Sequence, residues 1–231
     1  THDPATDLAF LLGRNAERCH SFPLPFGQAH VFYTEATQKR CTAALMLEFD
    51  PVRFVRDTRN RTHDAGTLGS FVNDRPYVAS SLMSIAMARA FSPALSGESR
   101  DRPKLVTTPI PLEAHLAVLR CAEGEPLVRR IFEPLGYTVR AEPIPFAPAF
   151  KACGKSPYHA VTISGVATLR DLVTHLYMLL PVIDDDENYA IGDDKLTKLV
   201  ERREGFLRTH PERERIARRF TRTPGRFVAD T

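Results

Sequence analysis

This sequence predicts an α+β fold with a mixed or antiparallel sheet packed with helices, and three observations carry that expectation. Extended runs crowd the first fifty residues, helical patterns fill the stretch from Asp171 onward, and between them strands and helices do not alternate regularly. With 231 residues, 43% of them apolar, the chain can form one large domain or two small ones. That apolar share excludes a disordered chain, and no apolar run approaches the ~20 residues that a membrane span needs.

The elements follow from local chemistry. Thr6–Arg14 reads as a short helix with Leu8, Leu11 and Leu12 on one face. Ser21–Phe26 is an extended run, and Pro23 and Pro25 confine it to a sheet edge. In Ala29–Thr34 the residues Ala29, Val31 and Tyr33 alternate with His30, Phe32 and Thr34, the period of a strand. Cys41–Phe49 is so uniformly apolar at its centre that a strand covered on both faces is expected. Asp50-Pro51 opens a helix over Val52–Asp57, and after a polar loop an extended stretch reaches Tyr77.

A long helix, Ala79–Phe91, is expected to start at Ser80 or Ser81 and to stop at Ser92-Pro93. Pro103–Pro111 reads as irregular and Leu112–Leu119 as a strand. In Pro126–Leu135 the residues Leu127, Val128, Ile131, Phe132 and Leu135 form an amphipathic stripe, closed by Gly136. Strands are expected at Tyr137–Ala141 and Tyr158–Ser164. Between them Glu142–Pro157 holds four prolines, a loop or a seam between two lobes near residues 142–157. Asp171 begins a helix that Pro181 should end. Asp193 and Asp194 cap another over Lys195–Leu207, and Thr209-x-x-Glu212 has the form of a capping box for the last.

The net charge of +3 hides an asymmetry. Nine arginines against three glutamates between Arg202 and Arg226 make that stretch +6, leaving −3 for the remainder. Such an end suits a solvated helix running into a linker, or contact with phosphates or an acidic protein surface. Cys19, Cys41, Cys121 and Cys153 lie far apart, which points to reduced, mostly buried thiols and a cytoplasmic protein. The first residues, Thr1-His2-Asp3-Pro4, do not start a signal peptide, and an opening on threonine suggests a trimmed segment.

Familiar catalytic motifs are missing from the sequence. Gly154-Lys155-Ser156 imitates the end of a phosphate-binding loop, but Ala149 stands where its first glycine belongs and Pro157 follows at once. There is no G-x-G-x-x-G after a strand and no G-x-S-x-G elbow, and the eight histidines lie at least ten residues apart. No catalytic, cofactor-binding or metal-ligating residue is therefore assigned. Asp184-Asp185-Asp186-Glu187, nine residues after His175, could hold Mg²⁺. Consecutive side chains point in different directions, so a solvated acidic loop, or one that receives a partner's basic residues, is the favoured reading. His175 sits near an apolar stripe and reads as a satisfied, partly buried histidine. Asn73-Asp74-Arg75-Pro76-Tyr77 serves equally as a contact loop or as ordinary turn chemistry.

Five stretches together resemble one family: Phe26–Tyr33, Cys41–Leu45, Phe71–Tyr77, Thr174–Asp186 and His210–Glu214. The chain is similar to the N-terminal ligase-activating region of the bacterial 3′-terminal RNA ribose 2′-O-methyltransferase. The resemblance implies residues 1–220 as an activating domain and 221–231 as the start of a linker to a C-terminal methyltransferase domain. It implies RNA repair alongside a bacterial polynucleotide kinase–phosphatase that carries an RNA ligase domain. Glu201-Arg202-Arg203-Glu204 has two glutamates at the spacing of that enzyme's metal ligands but no histidines after them, so methylation is not expected of this segment.

The function expected is a non-catalytic module that binds the ligase and enables its adenylylation, with no cofactor and no membrane contact. Candidate interface residues are Asn73, Asp74, Arg75 and Tyr77, then Asp184, Asp185 and Asp186, then Arg218, Arg219 and Phe220. Two alternatives stay open: a metal-dependent phosphodiesterase built on Asp184, Asp186 and His175, and an RNA-docking module that uses the basic C-terminal stretch.

Overall fold

The computed structural model describes residues 2–24, 27–49, 78–147, 155–184 and 204–221. The chain divides into two compact units, Thr1–Thr107 and Thr108–Thr231. The expected helix at Val52–Asp57 and the run Phe71–Tyr77 lie outside the described residues.

In the first unit, β1 (His20–Leu24), β2 (Gly27–Ala36) and β3 (Cys41–Phe49) form an antiparallel sheet in chain order. The expected alternation holds: Ala29 and Val31 point into the core, and Ala29 meets Leu24, Leu82 and Ala86 there. The helices are α1 (Asp7–Leu12), α2 (Val78–Ala90) and α3 (Ser92–Ser96). α2 packs on the sheet through Leu82 and Ala86, with Phe22, Leu45 and Leu47 around them. The strand Cys41–Phe49 has the expected bounds but is not covered on both faces, since Met46 is 52% exposed. Helix α2 stops just before Ser92-Pro93 as expected, ending at Ala90, and a separate short helix, α3, follows in which the proline sits in the first turn, where its missing N–H costs nothing. Arg14 donates through Nε and Nη2 to the Ala90 carbonyl at 3.1 and 2.8 Å, satisfying the end of α2.

In the second unit, β4 (Ile110–Arg120), β5 (Thr138–Pro143) and β6 (Tyr158–Ala167) form an antiparallel sheet in the order β4-β6-β5. The Pro-rich stretch therefore does not separate lobes. Its flanks pair with each other, Pro143 opposite His159, and the division falls at residues 107/108 instead. Against this sheet lie α4 (Glu125–Phe132) and α5 (Leu169–Asp184). Of the expected stripe, Leu127, Val128, Ile131 and Phe132 are wholly buried; the helix ends at Phe132, Leu135 falls half-buried in a short 3₁₀ turn, and Gly136 after it takes a positive φ of 88°.

Helix α5 differs from expectation at both ends. Thr168 caps it, its Oγ1 accepting from the Asp171 N–H (3.1 Å) and donating to the Asp171 carboxylate (2.8 Å). Pro181 does not end the helix, which continues to Asp184. Proline removes one backbone bond, but continuing the turn buries Val182 and Ile183, and that gain offsets the loss. Two further helices, α6 (Glu204–Thr209) and α7 (Arg213–Thr221), complete the described part, and α7 packs on α5. Asp193 and Asp194 lie outside the described residues. The expected capping box at Thr209 does not form: Thr209 is the last residue of α6 and bonds back to the Phe206 carbonyl.

Candidate partner interface

Helix α7 owes its position to a closed ring of ion pairs and one buried histidine. Arg130 on α4 reaches Glu123 (2.9 Å) and Glu212 (2.8 Å), while Arg215 on α7 reaches Glu123 (2.6 Å) and Glu212 (3.4 Å). Each carboxylate uses both oxygens, and two positive charges balance two negative ones. Burial opposes ionisation of Glu123, but the hydrogen bonds from Arg130 and Arg215 outweigh it and hold its pKa below the usual carboxylate value. The same bonds, from Glu212 first and Glu123 second, raise the pKa of Arg130.

His210 lies beside this ring, buried, with Nε2 at 2.8 Å from the Ile131 carbonyl and Nδ1 at 3.0 Å from the Glu212 amide nitrogen. Seated this way, α7 turns Ile216 into the core and exposes Arg213, Glu214 and Arg218. A shallow polar concavity runs along this side, lined by Pro211, Glu212, Arg213, Glu214, Arg215 and Arg218.

The predicted interface residues fall unevenly. Asn73, Asp74, Arg75 and Tyr77 lie outside the described residues, as do Asp185 and Asp186. Asp184 is not part of a solvated loop: it is the last residue of α5, 5% exposed, and receives bonds from Arg120 Nη1 at its carbonyl (3.1 Å) and carboxylate (3.4 Å). A side chain held in this way has no surface to offer a partner. Arg218 is exposed on α7, and the backbones of Arg219 and Phe220 continue the same helix.

The other candidate groups serve structure. His175 is partly buried, as its place near the apolar stripe implied; its Nδ1 lies 2.9 Å from the Tyr137 hydroxyl and its ring meets Phe206 edge-on at 4.7 Å. Burial pushes the Cys41 and Cys121 thiols above their ordinary pKa, which makes them poor nucleophiles. Cys19 corrects the expectation of buried thiols, since it is exposed; Cys153 lies outside the described residues. Among the described residues no group of three or more His, Cys, Asp or Glu side chains could hold a metal ion, and no helix is long and apolar enough to cross a membrane.

Sequence reasoning missed the ion ring and the role of His210. Glu212 was visible as a capping residue, but its side chain turns to Arg130, 82 positions away, a contact that no local pattern announces.

No curated protein matches the sequence. A solved structure of the Pnkp1/Rnl/Hen1 RNA repair complex contains a chain similar in fold, with a TM-score of 0.54 and 13% identity. The match covers 87% of this chain and 46% of that one, so the present chain spans less than half the length of that relative. A family model described as the RNA repair, ligase-Pnkp-associating, region of Hen1 matches residues 1–231 from end to end, and the chain belongs to that family.

Proposed function

We propose that this chain is a non-catalytic activating module. It binds the RNA ligase domain of a bacterial polynucleotide kinase–phosphatase and enables that domain to adenylylate its own lysine. The observation that carries this reading is the match of the whole chain to a ligase-Pnkp-associating family. The geometry supports it: the described histidines and carboxylates singled out for chemistry, His175 and Asp184, are both taken up in internal contacts. On this reading the chain needs no cofactor, works in the cytoplasm, and belongs to a larger protein that 2′-O-methylates the 3′-terminal ribose of RNA.

Activation is differential binding, because a partner shifts a conformational equilibrium only by preferring one state. Moving a ligase from 1:99 to 99:1 in favour of its competent state needs about 5.5 kcal/mol of preference. A contact of that strength implies an interface of roughly 1,600 Å² or more. Surfaces assigned to it are the Asn73–Tyr77 segment, the acidic run from Asp185, and the end of α7 with Arg218, Arg219 and Phe220. The exposed arginines of α7 also make RNA phosphates a candidate second ligand, whose binding would weaken with salt by a slope near −0.7 per phosphate neutralised.

The test mixes this chain with the partner ligase and labelled ATP and follows covalent AMP on the ligase. Label should accumulate in proportion to the chain added until the two are equimolar. A ligase that labels equally well without the chain would refute the reading.

A further inference from the structure

The run His210-Pro211-Glu212-Arg213-Glu214 belongs to the family resemblance, yet a ligase contact through the outer face of α7 leaves its histidine unused. That histidine is 2% exposed. A carbonyl can only accept and a backbone N–H can only donate, so the two neighbours of His210 dictate its state. Nε2 carries the proton and donates to the Ile131 carbonyl, while Nδ1 is bare and accepts from the Glu212 amide. One imidazole thereby joins the last turn of α4 to the entry of α7, capping a backbone N–H two residues ahead as an asparagine does in an Asx turn. The charged groups beside it, Glu212, Arg215, Arg130 and Glu123, pair with one another in the ring. Those long side chains tolerate small rotations of α7, whereas two hydrogen bonds from one planar ring do not.

We propose that His210 is the positioning residue of the C-terminal arm: it fixes the direction in which α7 presents Arg213, Glu214 and Arg218 to the partner. This rests on the ligase-activating reading above.

The test uses the whole chain with the ligase and ATP, and compares His210→Leu, which fills the space without either bond, with His210→Gln, whose amide nitrogen can replace Nε2. At limiting chain, His210→Leu should lower the rate of covalent AMP formation about tenfold, and His210→Gln should stay within about threefold of the parent. A proton–nitrogen correlation spectrum of the parent should show His210 with its proton on Nε2 and a bare Nδ1, and amide exchange at Glu212 should quicken in His210→Leu. The proposal is overturned if His210→Leu activates like the parent, if His210→Gln is as weak as His210→Leu, or if the proton sits on Nδ1. Failure of the parent to activate the ligase would instead remove the functional reading, and the spectrum with the Glu212 exchange would then decide the pin alone.

Discussion

Arg120, at the end of β4, holds Asp184, at the end of α5: one guanidinium nitrogen donates to both the carbonyl and the carboxylate of a residue 64 positions later. The carboxylate side chain is 3% exposed, so water cannot replace the arginine if it is removed. Arg120→Leu should therefore destabilise the second unit by roughly 2 kcal/mol, in the range for a hydrogen bond to a buried charge. Urea unfolding followed by circular dichroism would measure it. Double replacement with Asp184→Asn should recover part of the loss, because a buried carboxylate that has lost its Arg120 bonds is costlier than a neutral amide. An Arg120→Leu chain as stable as the parent would show that other neighbours satisfy Asp184.

Gly27 opens β2 within the Phe26–Tyr33 stretch that marks the family. Its φ is +152°, and a Cβ built there would lie inside the van der Waals surface of the Glu48 carbonyl oxygen on β3. Both strain and collision follow from any side chain, because the hydrogen-bonded strand opposite cannot retreat. Gly27→Ala should cost about 3 kcal/mol, enough to unfold a marginal unit. The expected result is loss of the first unit's protection in hydrogen exchange while β4–β6 stay protected. Full retention of that protection would mean that β3 moves aside at little cost.

What was legible in the sequence was what depends on near neighbours. The bounds of Cys41–Phe49 and the buried stripe of α4 came through because strand and helix periods are local patterns. The misreadings have a common cause in partners far along the chain. Pro181 read as a helix end because its lost bond is local, while the burial of Val182 and Ile183 is tertiary. Thr209 read as a cap, but His210 takes that place because Ile131, 79 residues earlier, holds its ring. The prolines at 143–157 read as a seam because nothing nearby shows that β5 and β6 pair across them. Of the candidate interface residues described with their side chains, Asp184 is buried and Arg218 is exposed.

Asp7 gives the first unit a pH dependence of known sign. Burial opposes its ionisation, but the hydrogen bonds of His2 (3.0 Å) and Arg102 (2.8 Å) prevail and bring its pKa below 3.8. A carboxyl with a lower pKa folded than unfolded stabilises above the unfolded value, and that contribution disappears as pH falls through the folded one. Asp7→Asn should thus be less stable than the parent at pH 7, and the difference should shrink once pH drops below about 3.8 and vanish lower still. Urea midpoints of both chains between pH 7 and the acid limit would test it. A difference that stays constant with pH would assign the effect to packing.

Two different forces hold α7 to the rest of its unit, and their magnitudes can be ranked. Arg130 and Glu123 are about half exposed, at 47% and 44%, so water screens their pairs strongly and added salt weakens them further. Ile216 is 1% exposed, and truncating a buried isoleucine costs about 2–5 kcal/mol. Apolar burial should therefore set whether α7 is docked and His210 how it is turned, with the ion ring adding little to either. Amide exchange within α7 should quicken about a hundredfold in Ile216→Ala, equivalent to about 2.7 kcal/mol, but less than about fivefold in Arg130→Ala or in 1 M salt. If Arg130→Ala released the helix as fully as Ile216→Ala, the ring would be acting as a desolvated network, and activation of the ligase should then fall with rising salt in parallel with α7 protection.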